Sequence, residues 1–342
     1  MEKLTLNIDG HKTGIEIGRG LLGTLPAKLA PGTIYLVDEN VLRIYGSFFA
    51  GKPCISIPQG ETQKTLGFVQ DIYRQMVEFE ADRTSFLVGV GGGLVTDVAG
   101  FVASTFMRGI KFGFVSTTLL GQVDASIGGK NGVNLDGYKN MIGIINQPEF
   151  VLCDLDLLGS LQKEEMVSGF AEVIKYGAIR DAHLFSFLES NYKQVLEQDK
   201  LSLQKVVAQS ASIKVGIVES DVNENGDRKL LNFGHTLGHA IEKLTGMLHG
   251  NAVAIGMVLS GRLSVNMGFL KAGEADRLEN LIKQSGLPVS TELTPETIFE
   301  TLLKDKKRAG NSMHFILLKS LGDAFVQRMD LETLKGAIND LY

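Results

Sequence analysis

Short apolar runs alternate with amphipathic segments through the first half of the chain. Four runs rich in β-branched and other apolar residues predict buried strands, at 33–38, 53–58, 85–90 and 111–116. Between Thr65 and Phe79 the apolar residues recur every three or four positions, and 94–106 is mostly apolar, so both segments predict helices. Buried strands that alternate with helices favour a parallel α/β sheet.

Helical periodicity dominates the second half of the chain, from Lys163 onward. The segments with a helical repeat are 164–178, 201–218, 231–244, 253–267 and 275–284, and a late strand-like run begins at Phe315. Because the pattern changes near residue 158, we predict two domains. These are an α/β domain over residues 1–158 and a mainly helical domain over residues 159–342.

Composition and charge narrow the range of expected partners. The length of 342 residues suits two domains, and 44% hydrophobic content with 21% charged residues excludes global disorder. Lys and Arg number 34 against 39 Asp and Glu, and this balance favours neither nucleic acid nor a membrane as a partner. No apolar run reaches the ~18–20 residues of a membrane helix. No secretory signal is visible, and two cysteines cannot form a disulfide framework, so we expect a cytoplasmic protein.

Glycine is the unusual component, with 40 residues, of which thirteen lie between Gly89 and Gly143. The run Gly91-Gly92-Gly93 separates a predicted strand from a predicted helix, which is an arrangement that binds a pyrophosphate. Its spacing matches neither the Rossmann G-x-G-x-x-G fingerprint nor the Walker A loop. A tight turn without a ligand is therefore the alternative interpretation. Asp38, at the end of an earlier strand, could accept a ribose hydroxyl.

Polar side chains suggest an anionic substrate and a metal. The glycine-rich stretch from Asp124 to Asn140 carries two lysines and several amides, which suits a phosphorylated, hydroxylated small molecule or else is only a solvated loop. His235 and His239 have the i, i+4 spacing that can hold a metal, although such pairs are often structural. Glu172 and Lys175 lie one helical turn apart. They form either a surface ion pair or a carboxylate metal ligand beside a lysine that binds the substrate.

These residues form part of a larger pattern that resembles the 3-dehydroquinate synthase family. Four stretches carry the resemblance, and they extend in order from about Asp38 to Lys306. The stretches are 91–97; 122–130 with 139–143; 171–175; and 231–239 with 249–250 and 252–257. Their combination is far more specific than any single glycine loop.

The resemblance implies a fold, a reaction and cofactors. The fold is an N-terminal α/β Rossmann-like NAD-binding domain and a mainly α-helical C-terminal domain, with the active site in a cleft. The implied enzyme is a carbon–oxygen lyase of the shikimate pathway, which leads to aromatic amino acids. It converts 3-deoxy-D-arabino-heptulosonate 7-phosphate to 3-dehydroquinate and phosphate through transient oxidation by NAD, β-elimination, reduction and an intramolecular aldol closure. NAD is regenerated, and the second cofactor is Zn²⁺ or Co²⁺.

The resemblance also assigns roles to individual residues. The metal ligands are Glu172, His235 and His249, so His239 faces the substrate instead. The catalytic residues are Lys130, Asn140, Lys175 and His239. The NAD contacts are Asp38, Asn40, Glu61, Lys64, Gly92, Gly93, Leu94, Asp97, Thr117, Thr118 and Lys139. The contacts to the sugar phosphate substrate are Arg108, Asp124, Lys130, Lys139, Asn140, Lys175, Lys214, Arg228, Asn232, His239 and Lys306. Arg108 corresponds to an arginine that reaches the neighbouring subunit, which implies a homodimer.

Some positions depart from the family pattern, and other functions remain open. Asn251 replaces the usual glutamate, the segment from His239 to His249 is short, and Asn131 and 135–138 differ from the family pattern in the substrate loop. The alternatives are another sugar-phosphate cyclase, a metal-dependent alcohol or glycerol dehydrogenase, and a non-catalytic NAD-binding protein. The set Lys214, Arg228, Asn232 and His239 favours a substrate that bears a carboxylate.

Overall fold

The computed structural model describes residues 1–29, 32–136, 138–306 and 312–339. The chain divides into two compact units. The first unit comprises Met1–Gln162 and Lys214–Glu219, and the second comprises Lys163–Ile213 and Ser220–Tyr342. The division therefore lies four residues after the position expected from the sequence, and it groups a short helical segment, Lys214–Glu219, with the first unit.

The first unit is built on a seven-stranded sheet. Its strands are β1 (Glu2–Ile8), β2 (His11–Gly18), β3 (Thr33–Asp38), β4 (Cys54–Ile57), β5 (Phe86–Gly91), β6 (Lys111–Ser116) and β9 (Phe150–Asp154). Strands β7 (Lys130–Leu135) and β8 (Tyr138–Ile145) form a separate hairpin. The order across the sheet is β1-β2-β9-β6-β5-β3-β4, and every neighbouring pair is parallel except β1 and β2. The expectation of a parallel α/β sheet is confirmed.

Helices connect the parallel strands of the first unit. They are α1 (Glu39–Phe49), α2 (Leu66–Glu78) and α3 (Gly93–Thr105). Asp38 caps α1 by accepting hydrogen bonds from the backbone of Asn40 and Val41, and Thr65 caps α2 by accepting from Phe68. Strands β3 and β5 have apolar residues on both faces because both faces are covered, as in other parallel sheets.

The polar stretch from Asp124 to Asn140 is not the simple loop that composition suggests. It begins in a short helical turn at Gly121–Ala125 and continues into the antiparallel hairpin of β7 and β8. Gly132 pairs with Gly143 in this hairpin, and a Cβ atom at either position would come within 2.8 Å of a backbone carbonyl oxygen of the opposite strand. These two glycines therefore allow close strand pairing.

The second unit consists mainly of helices with one antiparallel hairpin. The helices are α4 (Lys163–Arg180), α5 (Ala182–Leu196), α6 (Lys200–Ser220), α7 (His235–Thr245), α8 (His249–Asn266), α9 (Ala272–Gln284), α10 (Pro295–Lys306) and α11 (Leu331–Asn339), and the hairpin strands are β10 (Ser312–Ser320) and β11 (Asp323–Asp330). The last part of α6 belongs to the first unit. Buried residues such as Leu237, Ile255 and Phe315 form one core between α7, α8 and this hairpin.

Helix α7 begins four residues later than its sequence pattern suggests. The preceding segment, Asp227–Asn232, is a 3₁₀ helix, and Gly234 has a left-handed backbone with φ of 77°. A left-handed residue cannot continue an α-helix, so the regular helix starts at His235. None of the helices that the structure describes is long and apolar enough to span a bilayer, and Cys54 and Cys153 are both free thiols.

Glycines allow α8 to pack directly against the backbone of two neighbours. A Cβ atom at Gly250 would collide with the carbonyl oxygen of Ser168 on α4. A Cβ atom at Gly256 would collide with the carbonyl oxygen of Gly234, immediately before α7. These close contacts place the first residues of α7 and α8, His235 and His249, within one packed group of helices.

We expect Gly256→Ala to lower the free energy of unfolding by about 1–3 kcal/mol, because the added methyl group must displace the backbone before His235. Gly261→Ala on the same helix is the matched control. Its Cβ atom would meet only Leu278 Cδ2 at 3.4 Å, so stability should stay the same or rise by up to about 1 kcal/mol. Urea unfolding measures both variants, and equal stabilities would contradict the packing argument.

Candidate active site

The sheet of the first unit reverses its direction of growth between β3 and β5. From β3 the chain proceeds to β4 on one side, and from β5 it proceeds to β6 on the other side. Open α/β sheets bind ligands outside the carboxyl ends of the strands at such a switch point. Asp38 ends β3, and Gly91–Gly93 joins β5 to α3, so both flank this position. We call the edge formed by Asp38 and Gly91–Gly93 the switch-point edge.

The glycine turn of the switch-point edge has an internal packing role. Gly92 precedes the first residue of α3, and a Cβ atom there would lie 2.8 Å from Thr118 Cγ2. A Cβ atom at Gly93 would lie 3.2 Å from Ala125 Cβ. Packing alone accounts for these glycines, so the argument for a dinucleotide depends on the switch point and on the polar groups around it.

Lys64 is the centre of a polar cluster beside α3. Its Nζ atom donates to Asp97 Oδ2 and to Asn140 Oδ1, at 2.6 Å in both cases, and lies 3.7 Å from Glu61 Oε1. Burial raises the pKa of Asp97 to about 6, and the Lys64 ammonium counteracts this shift. Glu61 also accepts from Asn134 Nδ2 at 3.0 Å. The cluster thus joins α3 to both strands of the β7–β8 hairpin.

The other predicted NAD contacts lie on the elements around the same edge. Asp38 uses its Oδ1 atom to cap α1, and burial raises its pKa. Thr118 follows β6 and accepts a hydrogen bond from Gly121 N at 3.0 Å. Asn40 is in α1, Leu94 in the first turn of α3, Thr117 directly after β6, and Lys139 on the exposed strand β8.

Three predicted substrate contacts in the first unit have different surroundings. Lys214 is buried, and its Nζ atom donates to the carbonyl oxygen of Asp124 at 2.5 Å and to Asp124 Oδ1 at 2.7 Å. Lys130 is exposed at the start of β7. Arg108 is exposed in a turn where it and Met107 both have positive φ, 73° and 49°.

A buried carboxylate lies at the centre of the second unit. Glu172 on α4 is 0% exposed, and Lys175, one turn later, is 1% exposed and forms an ion pair with it. The interpretation of this pair as a surface ion pair is therefore wrong. Removing two charges from water is costly, so the site needs further groups that stabilise the carboxylate.

His235 and His249 supply such groups. Glu172 Oε1 lies 3.5 Å from His235 Nε2 and 3.6 Å from His249 Nε2. Zinc bonds of about 2.0–2.2 Å in a tetrahedron imply ligand–ligand separations of about 3.4 Å. Both carboxylate–imidazole separations thus match the spacing of zinc ligands, and all three residues offer donor atoms that zinc prefers, so they fit a divalent metal. His235, His239 and His249 also offer ring nitrogens within 4.8 Å of one another.

The two imidazoles differ in their electrostatic environment. Burial lowers the pKa of His235 to about 3. Burial also acts to lower the pKa of His249, but hydrogen bonds to Glu172 and Glu242 outweigh it and raise the value to about 9. His235 Nδ1 lies 3.1 Å from the carbonyl oxygen of Phe233, so its Nε2 atom is available for a cation.

The remaining predicted contacts of the second unit vary in burial. His239 is exposed on α7, with its ring centroid 5.2 Å from that of His235. Arg228 is buried and donates to the carbonyl oxygen of Val222 at 2.5 Å, and Asn232 donates to Glu224. Lys306 ends α10, and its side chain lies outside the part of the chain that the structure describes.

Two carboxylates in contact with candidate residues were not predicted from the sequence. Glu224 accepts from Asn232 Nδ2, and Glu242 Oε2 lies 3.2 Å from His249 Nδ1. Both pairs are separated by seven or eight residues and by the end of a helix or a turn. No periodic pattern links such positions, although their proximity in sequence to candidate ligands is a signal that could have found them.

Comparison with known proteins identifies the family. The family model for the 3-dehydroquinate synthase N-terminal region matches residues 54–168, and the model for the C-terminal region matches residues 169–308. The chain belongs to the 3-dehydroquinate synthase family. The expected resemblance is thereby confirmed, and so is the expected fold class.

Individual relatives extend over nearly the whole chain. The 3-dehydroquinate synthase of Thermodesulfovibrio yellowstonii is 39% identical over 99% of this chain and 100% of its own length. Among solved structures, 2-epi-5-epi-valiolone synthase from Streptomyces hygroscopicus, with NAD⁺ and Zn²⁺ bound, has a TM-score of 0.87 at 27% identity, with 98% of each chain covered. The fold also matches 2-deoxy-scyllo-inosose synthase in complex with carbaglucose-6-phosphate, NAD⁺ and Co²⁺ (TM-score 0.88, 24% identity, 99% of this chain and 100% of the other).

Proposed function

We propose that this protein is a 3-dehydroquinate synthase, a lyase that uses NAD and a divalent metal. The observation that carries the proposal is the group of His235 and His249 around the buried Glu172 carboxylate, in a chain that belongs to this family. Its substrate is 3-deoxy-D-arabino-heptulosonate 7-phosphate, and its products are 3-dehydroquinate and phosphate. Curated relatives named 3-dehydroquinate synthase at 39–44% identity support this choice over other sugar-phosphate cyclases.

The cofactors follow from the two candidate centres. NAD binds at the switch-point edge through the predicted residues around Asp38, Lys64 and Asp97, and Zn²⁺ or Co²⁺ binds Glu172, His235 and His249. The cyclases with NAD⁺ and Zn²⁺ or Co²⁺ bound support both assignments. When bound, NAD⁺ supplies a hydride acceptor that is restored in each turnover, and the metal supplies a Lewis acid for the hydroxyl oxygens of the substrate.

The proposed roles of the side chains follow from their charge and exposure. Lys130 and Lys139 are exposed cations on the β7–β8 hairpin and bind the phosphate dianion. Lys175 is buried and holds the Glu172 carboxylate in position, and the family resemblance also assigns it a contact with the substrate. His239 is an exposed imidazole beside the metal ligands, and it carries a proton to the departing phosphate. Asn140 and the remaining predicted contacts orient the substrate.

The homodimer is also part of the proposal, as is a cytoplasmic location. Among the described residues, β8 pairs only with β7, and it exposes apolar side chains on both faces, with Met141 54% and Ile144 41% exposed. Unpaired apolar edges of this kind associate with other chains. The strained, exposed turn at Met107 and Arg108 supports a contact of Arg108 with a second copy.

The decisive assay mixes the purified protein with the heptulosonate phosphate, catalytic NAD⁺ and Zn²⁺. We expect release of phosphate and formation of dehydroquinate over many turnovers without accumulation of NADH, because the hydride returns to the substrate. A chelator-treated sample serves as the control. Stoichiometric NADH, or no phosphate release, would contradict the proposed reaction and would favour a dehydrogenase.

Metal content distinguishes the ligand set from the i, i+4 histidine pair. We expect Glu172→Ala, His235→Ala and His249→Ala to lose the bound metal, because each removes a donor atom from one centre. His239→Ala should retain the metal and lose activity by about 10²–10⁴-fold, as expected for loss of a proton-transfer group. Elemental analysis of the purified variants decides the question, and metal loss in His239→Ala would restore the histidine pair as ligands.

Sedimentation tests the dimer. Sedimentation should give twice the chain mass of 37.1 kDa. Ile144→Asp should give the monomer mass, because a partner chain would remove the new charge from water. Leu201→Asp places the same charge at another exposed apolar position and should remain a dimer. A dimeric Ile144→Asp variant would exclude this face as the interface.

A further inference from the structure

Glu242 contacts a proposed metal ligand without being one itself. It lies on α7, and its Oε2 atom is 3.2 Å from Nδ1 of His249, the first residue of α8. The side chains of Glu242 and His249 are 11% and 28% exposed. None of the proposed roles in the reaction uses Glu242.

A short connection between two helices creates this contact. Helix α7 ends at Thr245, and Gly246, with φ of 68°, donates its backbone N–H to the carbonyl oxygen of Glu242. Only Met247 and Leu248 follow before α8 starts at His249. The turn thus brings the last part of α7 beside the first residue of α8. The next residue, Gly250, donates its backbone N–H to Ser168 Oγ on α4 at 3.1 Å.

The contact defines which nitrogen of His249 remains available. In the neutral ring, which is the form that binds a metal, a carboxylate that accepts from Nδ1–H leaves the lone pair on Nε2, and Nε2 is the atom 3.6 Å from Glu172 Oε1. His235 has the same arrangement, but its Nδ1 atom faces the carbonyl oxygen of Phe233 instead. Carboxylate partners of this kind orient metal-binding histidines and increase their basicity.

We propose that Glu242 is a positioning residue that holds the His249 ring so that its Nε2 atom, together with Glu172, binds a divalent cation. This role depends on the metal site of the proposed function. The partner of His235 is a backbone carbonyl, which substitution cannot remove. The partner of His249 is a carboxylate side chain, so substitution of Glu242 measures what a charged partner contributes to metal binding.

The test measures the affinity of the metal-free protein for Zn²⁺ by competition with a chelator. Glu242→Ala should weaken binding by about 10–100-fold. Glu242→Gln should weaken it less, by about 3–10-fold, because its amide oxygen still accepts from Nδ1–H without the negative charge. Glu300→Gln removes an exposed carboxylate from α10 and should leave the affinity unchanged.

The visible spectrum of the Co²⁺-loaded protein provides a second readout. Loss of the correct His249 orientation in Glu242→Ala should change the band positions and intensities of the bound ion, whereas Glu300→Gln should retain the original spectrum. A merely structural role of Glu242 would lower thermal stability without this graded change in affinity and spectrum. If Glu242→Ala does not fold, Glu242→Gln, which preserves the shape of the side chain, carries the test.

The outcomes separate this inference from the metal site itself. If the unsubstituted protein binds neither Zn²⁺ nor Co²⁺, the metal site is wrong and the role of Glu242 is overturned with it. A second outcome is that the unsubstituted protein binds Zn²⁺ tightly and His249→Ala does not. If both Glu242 variants then bind Zn²⁺ as tightly as the unsubstituted protein, only the positioning role is overturned. Weaker binding in the order Ala, then Gln, with an unchanged Glu300→Gln control, supports it.

Discussion

The second unit is organised around the need to stabilise the buried Glu172 carboxylate. A carboxylate without solvent costs several kcal/mol unless charges and hydrogen-bonding groups surround it. Lys175 supplies a cation from the same helix, and His235 and His249 supply ring nitrogens from two other helices. Helices α4, α7 and α8 must therefore keep their relative positions for the charge to remain buried. The same three helices gather nitrogen and oxygen donors at the spacing of a metal centre.

Glycine makes this arrangement possible, because the two imidazoles come from the first residues of α7 and α8, where helices pack backbone to backbone. Gly234 starts α7 at His235 through its left-handed conformation, and Gly256 on α8 packs directly against it. Gly250 does the same for the first turn of α8 against α4. Close packing thus explains several glycines in the second unit, as it explains Gly92 and Gly93 in the first.

Much of the fold could be predicted from the sequence because the buried strands and amphipathic helices have strong periodic signals. Strand β6 has the predicted bounds, and α2 and α3 end within one residue of them. The β7–β8 hairpin could not be predicted, because its glycines and polar residues suggest a loop and β8 lacks the alternation of a half-buried strand. The partnership of Glu172 with His235 and His249 spans more than sixty residues, so only the family resemblance indicated it. Neither periodicity nor the family resemblance indicated the contact of Glu242 with His249.

In the first unit, the Lys64 ammonium group and the neighbouring Glu61 carboxylate connect α3 and the β7–β8 hairpin. Lys64 binds Asp97 on α3 and Asn140 on β8 at equal distances, and Glu61 binds Asn134 at the end of the same hairpin. Lys130 and Lys139 lie on that hairpin. A simple dehydrogenase can release its reduced cofactor, but an enzyme that returns the hydride must retain cofactor and substrate until the cycle ends. Under the proposed function, these hydrogen bonds suit that requirement, because α3 and the β7–β8 hairpin both contact the buried Lys64 side chain.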